Sequence, residues 1–460
     1  MDLHLDREIA IEPNGSIIKL IRTLLFAHLF LVVFQTPIRA IVLDTTYIRD
    51  ILPFAIVFLL LGIVSMSGSF GIKRNYSLLE KLFLGYLLLG MLLILFWVLE
   101  GVPFMGAFRE FRNHFFPFIL FFAAKKTLVS SHYRKTIVKI FIIIALTLLL
   151  MTLIEYLLIQ IIGYSPYIFP WYRYTFLTSY RFYGNLGGDK IGYIIPEDTS
   201  VLGLMGWQHA TSAVLMVLFA FIFPYFFKAK YTRIIKLSVS QPVYFSNIIS
   251  YSIILLTAVV IFLILGTKTH MISFLFILLI YPLLVKGISF YRNLFITLAL
   301  SICALTNDFI RNSMIVAITR GFLFDSLNGR ESSFSMITSV NPFVAIYNMN
   351  FISKFIGTWH YTGGSELRLL NYTLHFGLIW LLIFVSIFVV ALFYARKVIS
   401  NRFVKPYDRL FAIGTIGLLF VCILDMGHYA RAMTWPIIDI LSICLGGLVV
   451  IYDNHSKIKR

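Results

Sequence analysis

The stretch Leu82–Leu99, LFLGYLLLGMLLILFWVL, carries no charge and no proline over nearly the roughly 20 residues that cross the hydrocarbon core of a bilayer. Backbone N–H and C=O groups find no water in that core, so the segment must satisfy them internally. The run is continuously apolar, with no alternation of period two, which selects a helix over a barrel strand. Ile51–Met66 and Ile137–Ile162 repeat the pattern. The chain as a whole agrees: 59% of its 460 residues are hydrophobic, 13% are charged, and the mean hydropathy is +0.88. Lipid is the expected solvent for most of it.

Extending this reading outward gives an all-α, polytopic integral membrane protein of about 12 transmembrane helices, a single membrane domain over 1–460. The expected spans are 17–38, 51–67, 82–100, 111–126, 136–163, 205–227, 245–266, 270–286, 290–305, 371–394, 409–427 and 435–452. The first fifteen residues hold Asp2, Asp6, Glu8 and Glu12 where a secretory leader would be basic, so no cleaved leader is expected. Cys303, Cys422 and Cys444 all fall in apolar spans without metal-ligand spacing and read as packing residues.

A formal net charge of +18 raises the question of nucleic acid, and the placement of the basic residues answers it. They cluster in alternate connections: Lys73, Arg74 and Lys81; Lys125, Lys126, Arg134, Lys135 and Lys139; Lys228, Lys230, Arg233 and Lys236; Arg396, Lys397, Arg402, Lys405 and Arg409. The positive-inside rule makes this the cytoplasmic face, with both termini on it. The opposite, periplasmic face then receives two long segments, Tyr164–Leu204 and Leu305–Leu370, both rich in Trp, Tyr, Gly and Pro. Long segments on a rigid helical scaffold are where sites usually sit. A membrane-surface helix is expected around Pro342–Phe355. No Gly-rich phosphate loop with a following Lys-Ser/Thr occurs, so no nucleotide cofactor is expected.

The basic residues of the periplasmic face differ in type. Eleven are arginines, Arg39, Arg49, Arg109, Arg112, Arg173, Arg181, Arg311, Arg320, Arg330, Arg368 and Arg431, against three lysines, Lys190, Lys268 and Lys354. A planar guanidinium grips phosphate or carboxylate through two parallel hydrogen bonds, as an ammonium cannot, which points to an anionic substrate. The alternative is that these arginines pair with Asp44, Asp50, Glu100, Asp308 and Asp325.

Four segments carry possible chemistry. They are Arg181-Phe182-Tyr183-Gly184 with the approach Gly203–His209; the turn Gly266-Thr267-Lys268-Thr269-His270; Asn328-Gly329-Arg330-Glu331; and Ser365-Glu366-Leu367-Arg368 leading into Phe376-Gly377-Leu378. Each alone also has a structural reading. The first is a tight Gly-rich approach to a helix, Lys268 a snorkelling cation, and Glu366 a carboxylate at a helix N-terminus. In this order and topology they resemble the bacterial O-antigen polymerase and O-antigen ligase superfamily over roughly Tyr164–Tyr394. The correspondence runs through Arg181 with Gly184, Lys268 in the turn, Gly329 with Arg330, and Glu366 ahead of Gly377.

The resemblance implies a metal-independent membrane glycosyltransferase that takes glycan from undecaprenyl diphosphate on the periplasmic face of the inner membrane and joins it to a hydroxyl. Lys268 replaces the family's usual Arg, and Glu366 stands where ligases carry a His, which favours a polymerase acting in O-antigen or capsule-like polysaccharide synthesis. Arg181, Lys268, Arg320, Arg330 and Arg368 would hold the diphosphate. Glu366 would be the general base, with His360 in reserve. The partners implied are the lipid-linked oligosaccharide, the bilayer and a chain-length regulator. The rivals are an O-antigen ligase acting on lipid A core and, outside enzymes, a lipid-linked oligosaccharide flippase or other transporter. A carrier would need charges deep in its helices; His28, Glu155 and Asp439 are the candidates, each expected to be locally hydrogen-bonded.

Overall fold

The computed structural model describes residues 15–41, 48–66, 76–162, 208–226, 247–265, 267–284, 295–296, 299, 349–358, 368–401, 403–426 and 436–456. Among the described residues the chain is helical throughout and has no strand. The helices are α1 (Gly15–Ile41), α2 (Ile48–Met66), α3 (Leu78–Leu99), α4 (Phe104–His114), α5 (Ile119–Thr127), α6 (Ser131–Ile162), α7 (Gln208–Ile222), α8 (Asn247–Val259), α9 (Lys268–Leu284), α10 (Phe351–Ile356), α11 (Arg368–Ser400), α12 (Pro406–Met426) and α13 (Ile437–Ser456). Five of them, α3, α6, α11, α12 and α13, are long and apolar enough to cross a membrane.

Local chemistry explains where the helices start and stop. Ser77 and Glu80 form a reciprocal cap at the start of α3: Glu80 N donates to Ser77 Oγ (3.4 Å) and Ser77 N to Glu80 Oε2 (2.8 Å). At its other end Gly101 takes a positive φ of 89° and the chain reverses. The return runs antiparallel to α3. Phe111 and Phe115 close over Gly90, and the rings of Phe83 and Phe121 stack at 4.1 Å.

This return departs from the expected span 111–126. It begins at Phe104 and is broken by a 3-10 turn at Phe116–Phe118 between α4 and α5. Pro117 has no N–H to continue the ladder, and Phe118 N bonds to Phe115 O (3.1 Å) instead of to His114 O. Tyr86 Oη from α3 donates to the freed His114 carbonyl (3.4 Å), and Trp380 Nε1 donates to Tyr86 Oη (2.7 Å). The other expected spans each coincide with a helix, except 290–305, most of which lies outside the described residues. The segment 164–204 lies outside them entirely. Of 305–370, residues 349–358 and 368–370 are described. Of the surface helix expected around Pro342–Phe355, residues 349–355 are described; they hold the start of α10, capped by Asn350, whose Oδ1 accepts from Ser353 N (2.7 Å).

The centre of the bundle is α12 and α13. In each, 83% of the membrane-length window is buried, against 39% in α3 and α11, which keep an apolar outer face. Close approach needs small residues: Gly446 of α13 sits against the Phe121 carbonyl of α5, and Gly414 of α12 against that of Phe221 in α7.

The described residues Lys125 and Arg134 of the second basic cluster lie at one end of the bundle. Lys125 joins α5 to α3 and α13 through Glu80 (2.6 Å) and Asp453 (3.0 Å). Arg22 donates to the Thr127 carbonyl (3.2 Å) and lies over the Tyr133 ring. Arg134, 3% exposed, forks onto Asp408 with Nε–Oδ1 and Nη2–Oδ2 distances of 2.9 Å and spends Nη1 on the carbonyls of Leu128 and Val129. We call this the basic end and the other the Gly101 end.

Removing one partner of a buried pair leaves a bare charge, a loss of about 3–5 kcal/mol, whereas an apolar replacement of both is far milder. Asp408→Ala is therefore expected to lower the unfolding midpoint of the purified protein in detergent, and Arg134→Met with Asp408→Leu to recover most of it. An Asp408→Ala protein as stable as the parent would show that this contact holds nothing.

Candidate functional site

The longest described helix is interrupted where its polar residues gather. Within α11, Gly377 leaves helical geometry at φ 87° and ψ 171°, and the C-cap of α10, Gly357, takes φ 86°. The two glycines mark a crossing of two backbones. A Cβ on Gly357 would collide with the His375 carbonyl, and one on Gly377 with the Phe355 carbonyl. Both the sign of φ and the space admit only glycine here. The crossing is stitched by Thr358 N donating to Leu374 O (3.0 Å), while Gly357 N closes the end of α10 on Ser353 O (2.7 Å).

His375 is held by this crossing. Its Nδ1 lies 3.2 Å from the Thr358 carbonyl, and a carbonyl can only accept, so Nδ1 carries the proton. In the neutral ring the lone pair is then on Nε2. Nε2 points to Glu110 of α4, 3.9 Å from Oε2. The same Oε2 faces Nε2 of His114, one helical turn on, at 3.3 Å. The rings are wedged by aromatics: His375 between Trp97 (centroids 5.0 Å) and Phe376 (4.7 Å), His114 against Tyr372 (5.1 Å) and Phe376 (5.3 Å). Side-chain exposures of 26% for Glu110 and 16% for His375, against 9% for His114, leave the first two within reach of a ligand.

Behind α4 lie two further pairs. Arg112 meets Asp50 at 3.3 Å, and His28 Nε2 meets Asp439 Oδ2 at 2.9 Å, deep in the bundle. They line a narrow cleft with Pro53, Asn113, Phe116 and Pro117. Asp50 and Asp439 each sit in the first turn of a helix, where the dipole favours a carboxylate. For Arg112 the pairing alternative to anion binding holds, and the local hydrogen bonding expected of His28 and Asp439 is a bond to each other. A buried chain also surrounds the turn at the start of α9. Ser212 Oγ meets Thr267 Oγ1 (2.5 Å), Thr267 Oγ1 meets His270 Nδ1 (3.2 Å), and His270 Nε2 lies 3.4 Å from Asp425 of α12.

Of the expected site residues, Lys268 is the first residue of α9 and Arg368 the first of α11, both at the Gly101 end. Arg181, Arg320, Arg330, His360 and Glu366 lie outside the described residues. The residues the sequence reading passed over are Glu110, His114 and His375. A Glu and a His spaced i, i+4 in the polar stretch Arg109–His114, and a His two places before Gly377, were the available signals. Among the described residues no group of three His, Cys, Asp or Glu side chains has the arrangement to hold a metal ion.

Forcing a left-handed φ on a residue with a Cβ costs about 1–2 kcal/mol before any collision. Gly377→Ala should therefore speed amide exchange at Thr358 about tenfold or more, read by mass spectrometry in detergent, with α12 and α13 unchanged. Unaltered exchange at Thr358 would mean that the crossing does not depend on glycine. No protein-family model, no curated protein and no solved structure matches the chain.

Proposed function

We propose that the protein is a polysaccharide polymerase of the bacterial inner membrane, transferring glycan from undecaprenyl diphosphate to a lipid-linked repeat unit at the periplasmic face. In this reading the chain crosses the bilayer about twelve times, both termini are cytoplasmic, and the Gly101 end faces the periplasm. The observation that supports it most is the carboxylate with two imidazoles at a helix break, at the end of the bundle that also receives Lys268 and Arg368. The segment between α6 and α7, which carries Arg181, leaves and re-enters at that end as well.

The chemistry follows from the leaving group. As the anomeric bond to phosphate breaks, negative charge grows on the diphosphate. Fixed guanidinium and ammonium groups from Arg181, Lys268, Arg320, Arg330 and Arg368 stabilise that charge where water is scarce. No nucleotide is consumed, because the phosphoester of the donor supplies the driving force. Of the three buried charges a carrier would use, His28 and Asp439 are here paired with each other.

The test is a deletion strain analysed by glycan gel. Single repeat units capping the lipopolysaccharide are the expected result; loss of all attached glycan with lipid-linked polymer accumulating would make the protein a ligase. An impermeant thiol reagent on intact spheroplasts should label a cysteine at Ser332 and miss one at Ser400, and the reverse pattern would overturn the placement. Arg330→Lys keeps charge but loses forked geometry, so chain length should fall at normal protein abundance. An unchanged ladder would demote Arg330 to a structural residue.

A further inference from the structure

We propose that His375 is the general base of this transfer and that Glu110, held by His114, is the residue that positions and electrostatically supports it. The inference rests on the transferase reading above and names the residue that moves the proton. A base needs its lone pair fixed, exposed and pointed at the acceptor. Thr358 O fixes the tautomer, the Gly357–Gly377 crossing fixes the ring, and the lone pair on Nε2 faces the partly exposed Glu110. At 3.9 Å from Nε2, Oε2 leaves room for a hydroxyl oxygen within hydrogen-bond reach of both atoms. His114 is less suited to the role. It is more buried, packed between Tyr372 and Phe376, and its Nε2 is turned to Glu110.

The step balances without a further reactant. The acceptor hydroxyl gives its proton to His375 Nε2 as its oxygen forms the bond to the anomeric carbon of the donor. The bond from that carbon to the phosphate oxygen breaks, and undecaprenyl diphosphate leaves with the electron pair. The imidazolium so formed faces the Glu110 carboxylate, which stabilises it until the proton passes to solvent. The three residues come from α4 and α11, and the carbonyl that selects the tautomer comes from the end of the long 305–370 segment.

The experiment uses the purified full-length protein in lipid nanodiscs, with lipid-linked oligosaccharide extracted from the deletion strain as the probe. General-base assistance is typically worth ~10²–10⁴ in rate. His375→Ala should therefore lose about two orders of magnitude in turnover or more, retain binding of the extracted donor, and regain part of its rate with added imidazole. His375→Asn guards against misfolding, because its amide nitrogen takes the place of Nδ1 and can still donate to Thr358 O; it should bind donor and stay inactive. Glu110→Gln should lower kcat with little change in KM. Undiminished turnover in His375→Ala, or an active His375→Asn, overturns the assignment. So does a loss in His375→Ala that imidazole does not restore and that extends to donor binding. A parent protein that converts none of the extract removes the transferase reading and this inference with it; an active parent with active His375 variants removes this inference alone.

Discussion

A helix in hydrocarbon cannot leave a carbonyl or an N–H bare, and the architecture around the polar cluster is organised by two helix breaks among the described residues. At Phe116–Phe118 the ladder is lost to Pro117, and a tyrosine hydroxyl from α3 meets the His114 carbonyl. At Gly377 the interruption is matched by a second strand of backbone, residues 355–358, which lies across it and bonds to Leu374 O. Each repair draws on another element. Tyr86 is in turn held by Trp380 of α11, so the repair of the first break is tied to the helix that carries the second. The two interruptions are therefore one structure, and the polar cluster Glu110–His114–His375 sits between them.

The same scarcity of water governs the charges. A lone ion in the bundle is prohibitively unfavourable, and buried Arg134, Asp408, Glu80 and Asp439 are each met by an oppositely charged or imidazole partner. Arg134 uses its fork on Asp408 and its remaining donors on two carbonyls at the end of α5. Such pairs at the basic end lock helices together. At the Gly101 end the pattern differs: one carboxylate oxygen faces two imidazoles, one of them at 3.9 Å and partly exposed, which is looser than a structural pair requires.

The helices were legible in the sequence because a membrane makes burial uniform, so that hydropathy marks the long apolar ones. The reading failed first where a span is polar. Arg109, Glu110, Arg112 and Asn113 lower the hydropathy of α4, so its outer half was assigned to a loop. It failed again at the site for a different reason. Glu110 and His375 are joined by packing across the bundle, and nothing local to either residue announces the other. Gly377 was singled out within a motif, yet its partner Gly357 was not, since a crossing of two backbones has no period or spacing to detect. The arginine and Glu366 motifs rested on a resemblance and fall outside the described residues, except for the backbone positions of Lys268 and Arg368.

The coupling of break and cluster has a functional logic. A continuous helix would bury its own carbonyls and project side chains at fixed intervals into lipid or protein. An interrupted one frees a carbonyl at the interruption, and here a segment from outside the helix supplies the complementary groups. Thr358 belongs to that segment, and its carbonyl is what orients His375. The tautomer of the ring is thereby set from outside its own helix, by the backbone just after α10. The two glycines let that backbone pass with no side chain in the way, so the carbonyl reaches the ring without displacing the core around it.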